Sequence, residues 1–169
     1  MKISLNVKLG IIAGTLNCVV WYLVAKSLGF YTIQVYVIRN FVTLGLLIAG
    51  VFISVYMARK NNNGYLEFNN ALKAGVVYSL IVAFILAMFN YLYYSLITPD
   101  TIEYFLSEAK KAAIAHHVKE ADRVKFLDSE RSNFSSYKLI PPILFFGLLF
   151  SLLAGAIFQK KDPNKVAEN

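Results

Sequence analysis

The sequence predicts an all-α fold: an integral membrane four-helix bundle with a helical amphipathic segment between its third and fourth spans. Composition is the first observation. Hydrophobic residues make up 57% of the 169 residues and charged residues 16%, whereas a soluble domain averages about 45–50% apolar and about 25% charged. Charge placement is the second. Uncharged stretches of 17, 19, 26 and 21 residues separate Lys8 from Lys26, Arg39 from Arg59, Lys73 from Asp100 and Lys138 from Lys160. A charge at the bilayer centre costs about 2.5–3.5 kcal/mol on insertion scales, so lipid selects for such windows. The third is the lack of polar faces within those windows, which a soluble helical protein would need to cover so large a core.

The elements follow in order within a single domain, 1–169. The first span covers about 8–28, with Lys8 and Lys26 placed to snorkel from its ends. Lys2 and Lys8 resemble the basic region of a signal peptide. However, the apolar stretch exceeds the usual 7–15 or so residues, and Ala25-Lys26-Ser27 is a poor cleavage site, so the segment is expected to stay attached. Gly29 stops the helix, and Phe30-Tyr31-Thr32 suits a short turn. The second span covers 35–58 and carries Arg39 in its first turns. A polar turn, Arg59 to Gly64, and an interfacial approach, Tyr65 to Asn70, lead to the third span at 73–97, long enough to tilt or project.

At Thr98-Pro99-Asp100 a new helix is expected to start. Thr98 is the expected cap, Pro99 suits the first helical position, and Asp100 and Glu103 favour a helix N-terminus. Ile102, Phe105, Leu106, Ala109 and Ala113 recur at helical spacing, which predicts an amphipathic helix over about 99–117. Residues 118–131 are strongly charged and helical, with Glu120 and Arg123 as a surface pair. A loop at 132–136 precedes the fourth span, 139–159, whose first turn tolerates Pro141 and Pro142. Segment 98–138 is thus a helical extramembrane segment, and 160–169 a polar, mobile tail. Tyr31, Tyr36, Tyr56, Tyr65, Tyr93, Tyr94 and Tyr137 fall near expected interfaces.

Basic residues set the expected orientation. Eight lie on the side of the two termini and nine on the other, but seven of those nine are matched by seven acids within 98–138. The unmatched basic residues beside the membrane therefore favour cytoplasmic N- and C-termini, in a bacterial inner (cytoplasmic) membrane.

Within the spans, small residues recur four apart. Gly75, Ser79, Ala83 and Ala87 mark the third span, and Gly147, Ser151 and Gly155 the fourth. Gly10 and Gly14 mark the first, and Gly50, Ser54 and Ala58 the second. Positions i and i+4 share a face, and small residues there let helix backbones approach. Packing within the chain is the ordinary reading; a Gly10/Gly14 face turned to a second copy or another membrane protein is the sharper one. Asn17 and Asn90 are the most interior polar side chains and each needs a hydrogen-bond partner. Helix–helix bonding is the ordinary reading, contact with a substrate or ion the sharper. Lys26 and Arg39 fall near the same membrane face, as snorkelling anchors or as a cationic pair for an anionic lipid headgroup.

Signals for chemistry are sparse. His116 and His117 are adjacent and so point about 100° apart on a helix, with no metal-ligand spacing around them. No nucleotide-binding loop or nucleophile–base spacing is present. Cys18, the single cysteine, has no partner for an intramolecular disulfide. No catalytic residue, cofactor or metal is expected, and the basic excess belongs to membrane ends rather than to nucleic acid.

The third span opens on Asn70-Ala71-Leu72-Lys73-Ala74-Gly75. It closes on Phe89-Asn90-Tyr91-Leu92-Tyr93-Tyr94, then Ile97-Thr98-Pro99-Asp100. A charged helical segment follows, and a last helix with Gly147 and Gly155 ends in Gln159-Lys160-Lys161. This layout resembles the bacterial domain-of-unknown-function family 4199. The resemblance implies a small four-span membrane protein and brings no activity or functional residue with it. The expected function is non-enzymatic: a structural or interaction protein whose 98–138 segment contacts a partner or the membrane surface. The alternative is a small transporter or channel subunit, acting as an oligomer through Asn17, Asn90 and Arg39. Membrane lipid, a second copy and another membrane protein are the partners to expect.

Overall fold

A computed structural model describes residues 4–29 and 33–160. The expected turn at Phe30-Tyr31-Thr32 and the tail beyond Lys160 lie outside the described residues. Among the described residues there are six α-helices: α1 (Leu5–Leu28), α2 (Ile33–Asn61), α3 (Phe68–Leu92), α4 (Asp100–Ala115), α5 (Glu120–Asn133) and α6 (Ile140–Phe158). Among the described residues there is no strand; one isolated antiparallel bridge pairs Leu66 with Lys160. Four helical stretches are long and apolar enough to cross a membrane: Leu5–Leu28, Gln34–Asn61, Phe68–Ile97 and Ser136–Phe158.

Local chemistry sets the boundaries. The α2–α3 turn closes where the Gly64 N–H donates to the Arg59 carbonyl and Arg59 Nε donates back to the Gly64 carbonyl at 2.9 Å. Gly64 sits at φ +85°, a left-handed conformation that glycine adopts without steric cost. At the far end of α3 the helix widens into a π turn, Tyr93–Ile97, in which the Thr98 N–H reaches back five residues to the Tyr93 carbonyl. Pro99 lacks an N–H, so the chain breaks there and restarts as α4. Thr98 does not cap α4 with its side chain, contrary to expectation. Its hydroxyl turns back to the Tyr93 carbonyl, and Pro99 rather than Thr98 holds the N-cap position. The π turn has already presented that carbonyl to Thr98.

The helices pack through small residues. A methyl group on Gly75 would run into Ser151, and one on Gly147 into Ser79, so α3 and α6 interdigitate antiparallel. A methyl on Gly10 would meet Ile81, and one on Gly14 would meet Ile85, so α1 lies parallel on another face of α3. α2 packs against α1, α3 and α6. The Tyr78 ring fills the space over Gly50, and its hydroxyl donates to the Leu46 carbonyl at 2.9 Å. Large apolar side chains such as Ile12, Phe41, Phe84 and Phe145 point outward, the arrangement that hydrocarbon solvates and water does not. One end of the bundle carries the start of α1, the end of α6 and the α2–α3 turn; the other carries the α4–α5 hairpin.

Candidate functional site at the hairpin end

Trp21 of α1 anchors the hairpin end. It is 3% exposed. Its ring packs on Phe89 at 5.1 Å, Tyr93 at 4.7 Å and Tyr94 at 6.4 Å between centroids. The π turn makes this possible, because it tucks both Tyr93 and Tyr94 into the core. These two tyrosines therefore pack inward at the hairpin end rather than turning their rings outward. A second set of rings carries the cluster out to the hairpin: Tyr36 packs edge-on against Phe105 at 5.3 Å, and Tyr94 against Phe134 at 5.3 Å. The Tyr94 hydroxyl donates to the Tyr36 hydroxyl at 3.1 Å.

Arg39 lies over this cluster, its guanidinium carbon 4.7 Å from the Trp21 ring centroid and 5.1 Å from that of Tyr36. Arginine stacks on aromatic faces with a favourable cation–π energy, more so where water is excluded. Arg39 also lines a cavity of about 340 Å³ between α2 and α6, with Asn40 and Thr43 beside it and Leu47, Leu86 and Ile143 below. Lys26 is exposed and does not line that cavity, so the two expected cations do not converge there.

The two amides have separate duties. Asn17 is buried and exchanges hydrogen bonds with Thr43 of α2: its Nδ2 donates to Oγ1 at 3.0 Å, and Oγ1 lies 3.3 Å from its Oδ1. Asn90 lies near the end of α3 and donates to the Phe134 carbonyl and to Ser136 Oγ, both at 3.2 Å. It therefore ties α3 to the start of α6 below the hairpin. The small residues act within the chain. Ser79 and Ser151 donate to the carbonyls of Gly75 and Gly147, four residues earlier, which satisfies hydroxyls that would otherwise be stranded. Ala83 and Ala87 are buried on the same stripe of α3, and Gly155 lies against Phe68 and Ala71.

On the hairpin, α4 turns Thr101 and Ala113 inward, while α5 has no buried residue. The expected Glu120–Arg123 pair does not form. Arg123 falls with Leu127 and Glu130 on the half-buried face of α5, and its Nε has no hydrogen-bond partner. The ion pairs among the described residues are Arg131–Glu103, which clasps α5 to α4 at 2.7 Å, and Lys111–Glu108, also at 2.7 Å. The Glu108 hydrogen bond and charge raise the Lys111 pKa above its ordinary value. Beneath the clasp lies a second cavity of about 550 Å³, lined by Asn90, Tyr94, Glu103, Arg131, Ser136 and their neighbours.

Sequence reasoning missed Thr43, Tyr78 and Trp21. A hydroxyl inside a charge-free window is a legible signal for Thr43 and Tyr78, since each must find a partner in hydrocarbon. The single tryptophan, one or two turns from an expected interface, is the corresponding signal for Trp21.

Fold and composition define a helical membrane protein with four candidate spans and a hairpin at one end. The chain belongs to the DUF4199 family, described as a protein of unknown function, whose model matches residues 8–160. No curated protein and no solved structure matches it.

Proposed function

We propose that the chain is a non-enzymatic, multi-pass protein of a bacterial inner membrane whose hairpin, within 98–138, is a contact element for a partner at the membrane surface. One observation carries this reading. The hairpin is fixed at its base by Tyr36, Phe105, Phe134 and the Glu103–Arg131 clasp, yet farther out it holds Ile114, Val124 and Phe126 exposed at 49%, 58% and 41%. Exposed apolar side chains on an otherwise charged element held to the bundle at its base are contacts a partner can use. The orientation that goes with it places both termini in the cytoplasm, as the unmatched basic residues favour.

Photo-crosslinkers at Val124 and Phe126 in native membranes test the proposal. A discrete protein adduct is expected, and it should disappear when both are replaced by Ser. Adducts to lipid alone would make the membrane surface the contact. If neither protein nor lipid is captured and the hairpin can be deleted without consequence, the proposal fails. Cysteine labelling from outside the cell at Lys125, but not at Ala167, is the expected result for orientation.

The transport reading has less support. Asn17 and Asn90 spend their amides on Thr43, Phe134 and Ser136, and farther from the hairpin Gly75, Ser79, Gly147 and Ser151 are in direct contact.

A further inference from the structure

We propose that the cavity between α2 and α6 binds a membrane lipid with an anionic headgroup, the head on Arg39 and one acyl chain inside. This goes beyond the hairpin's role and does not depend on it.

The cavity has the polarity of an amphiphile. Its polar residues, Arg39, Asn40 and Thr43, stand at its hairpin end with Trp21, Leu139 and Pro142, while Leu44, Leu47, Leu86, Ile143 and Phe146 line the rest. Leu47 lies eight positions after Arg39 on α2, about 12 Å along the helix axis. The charge therefore sits near the membrane surface and the apolar wall runs inward, as in a lipid of the bilayer. Its volume of about 340 Å³ is within the roughly 300–1,000 Å³ of ligand pockets. Exposed Asn40, Pro142 and Phe146 border it, so it opens sideways between two candidate spans, where an acyl chain can enter. Water has few partners on such a wall.

Arg39 supplies the selectivity. Its face is taken up by Trp21 and Tyr36, it donates to the Tyr94 hydroxyl, and its contacts to Asn40 Oδ1 are long, at 3.4 and 3.5 Å. No carboxylate pairs with it among the described residues, and the acids of this end all belong to the hairpin. A guanidinium carries five N–H donors, and those not taken by Tyr94 or Asn40 can face the oxygens of a phosphate. Free phosphate would meet that need and leave the apolar wall empty; a phospholipid meets both.

The test is native mass spectrometry of the full chain in mild detergent. It is titrated with phosphatidylglycerol and with phosphatidylcholine of identical chains, alone and with inorganic phosphate. Phosphatidylglycerol is expected to be held about tenfold or more tightly, the scale of one charge-assisted contact. Arg39→Gln should abolish the preference. Leu44→Trp, which fills the cavity and leaves Arg39 in place, should weaken binding of the anionic lipid. Lys8→Gln, at the opposite end, should bind as the parent does. Equal retention of phosphatidylglycerol by the parent and Arg39→Gln overturns the proposal, as does unchanged retention by Leu44→Trp. Displacement of the lipid by inorganic phosphate would show an anion site and overturn the lipid assignment. Circular dichroism reports whether each variant folds; if Arg39→Gln does not, Leu44→Trp decides.

Discussion

Along the α3–α6 seam, Gly75 and Gly147 let Ser151 and Ser79 press directly onto the facing backbone. At the hairpin end the same helix α3 meets its neighbours through Phe89, Tyr93 and Tyr94, gathered on Trp21. The two regions lie on one helix and solve different problems. Inside hydrocarbon the lipid tails are as apolar as any side chain, so close backbone approach and satisfied hydroxyls hold helices together. Near the surface the hairpin must be attached to the bundle. Broad rings with polar tips suit that task, since they bury large areas and still reach partners such as the Tyr36–Tyr94 hydroxyl pair. The cavities lined by Arg39 and by Asn90 lie at the hairpin end, and a third of about 340 Å³ lies at the opposite end beside Ala58 and Lys73.

The comparison can be broken most forcefully at Trp21. Trp21→Ala removes the ring on which three others pack and is expected to cost about 3–5 kcal/mol. The readout is unfolding in mixed micelles of increasing SDS fraction. Limited proteolysis should show the 98–138 segment cut earlier than in the parent. At the seam, Gly147→Leu forces a side chain into Ser79 and is expected to cost about 1–3 kcal/mol in the same titration. Gly45→Ala is its control: a methyl there meets nothing within 4 Å, and stability should be unchanged or slightly higher. If the control falls as far as Gly147→Leu, close approach is not what holds the seam.

Asn17→Leu sharpens the contrast within the hydrocarbon. It removes the bond to Thr43, and intramembrane hydrogen bonds average about 0.6 kcal/mol with a maximum of about 1.7. A loss in that range is expected; a much larger one would give the amide a further role. The smallest effect is expected at the clasp. Glu103 and Arg131 have side chains 70% and 63% exposed, so Glu103→Gln should cost less than about 1 kcal/mol, and less still in high salt.

How much of this was legible follows from what each pattern depends on. The stripes at Gly75/Ser79 and Gly147/Ser151 show in the sequence because their period is that of the helix itself. Which stripe meets which does not show: Gly10 and Gly14 also allow an outward face, and α1 turns them onto Ile81 and Ile85 of the same chain. Asn90 read as an interior amide. It became a tie to Phe134 and Ser136 because the loop before α6 folds down beside it. Arg39 was legible as a cation near an interface, but Trp21 and Tyr36, which hold it, come from two helices. The π turn carries no period of its own, so the inward rotation of Tyr93 and Tyr94 was invisible.

The sequence by itself determined the helical class, the four apolar stretches, the break at Pro99 and the charged character of the hairpin. Each follows from local chemistry: the cost of charge in hydrocarbon, the missing N–H of proline, and the 3.6-residue repeat. Only the tertiary structure decided the partners. It set Ser79 against Gly147, joined Asn17 to Thr43, gathered the rings on Trp21 and placed Arg39 at the mouth of an apolar cavity. Those contacts link residues far apart in the chain, and their geometry depends on how the helices rotate and slide against one another. No local pattern encodes that.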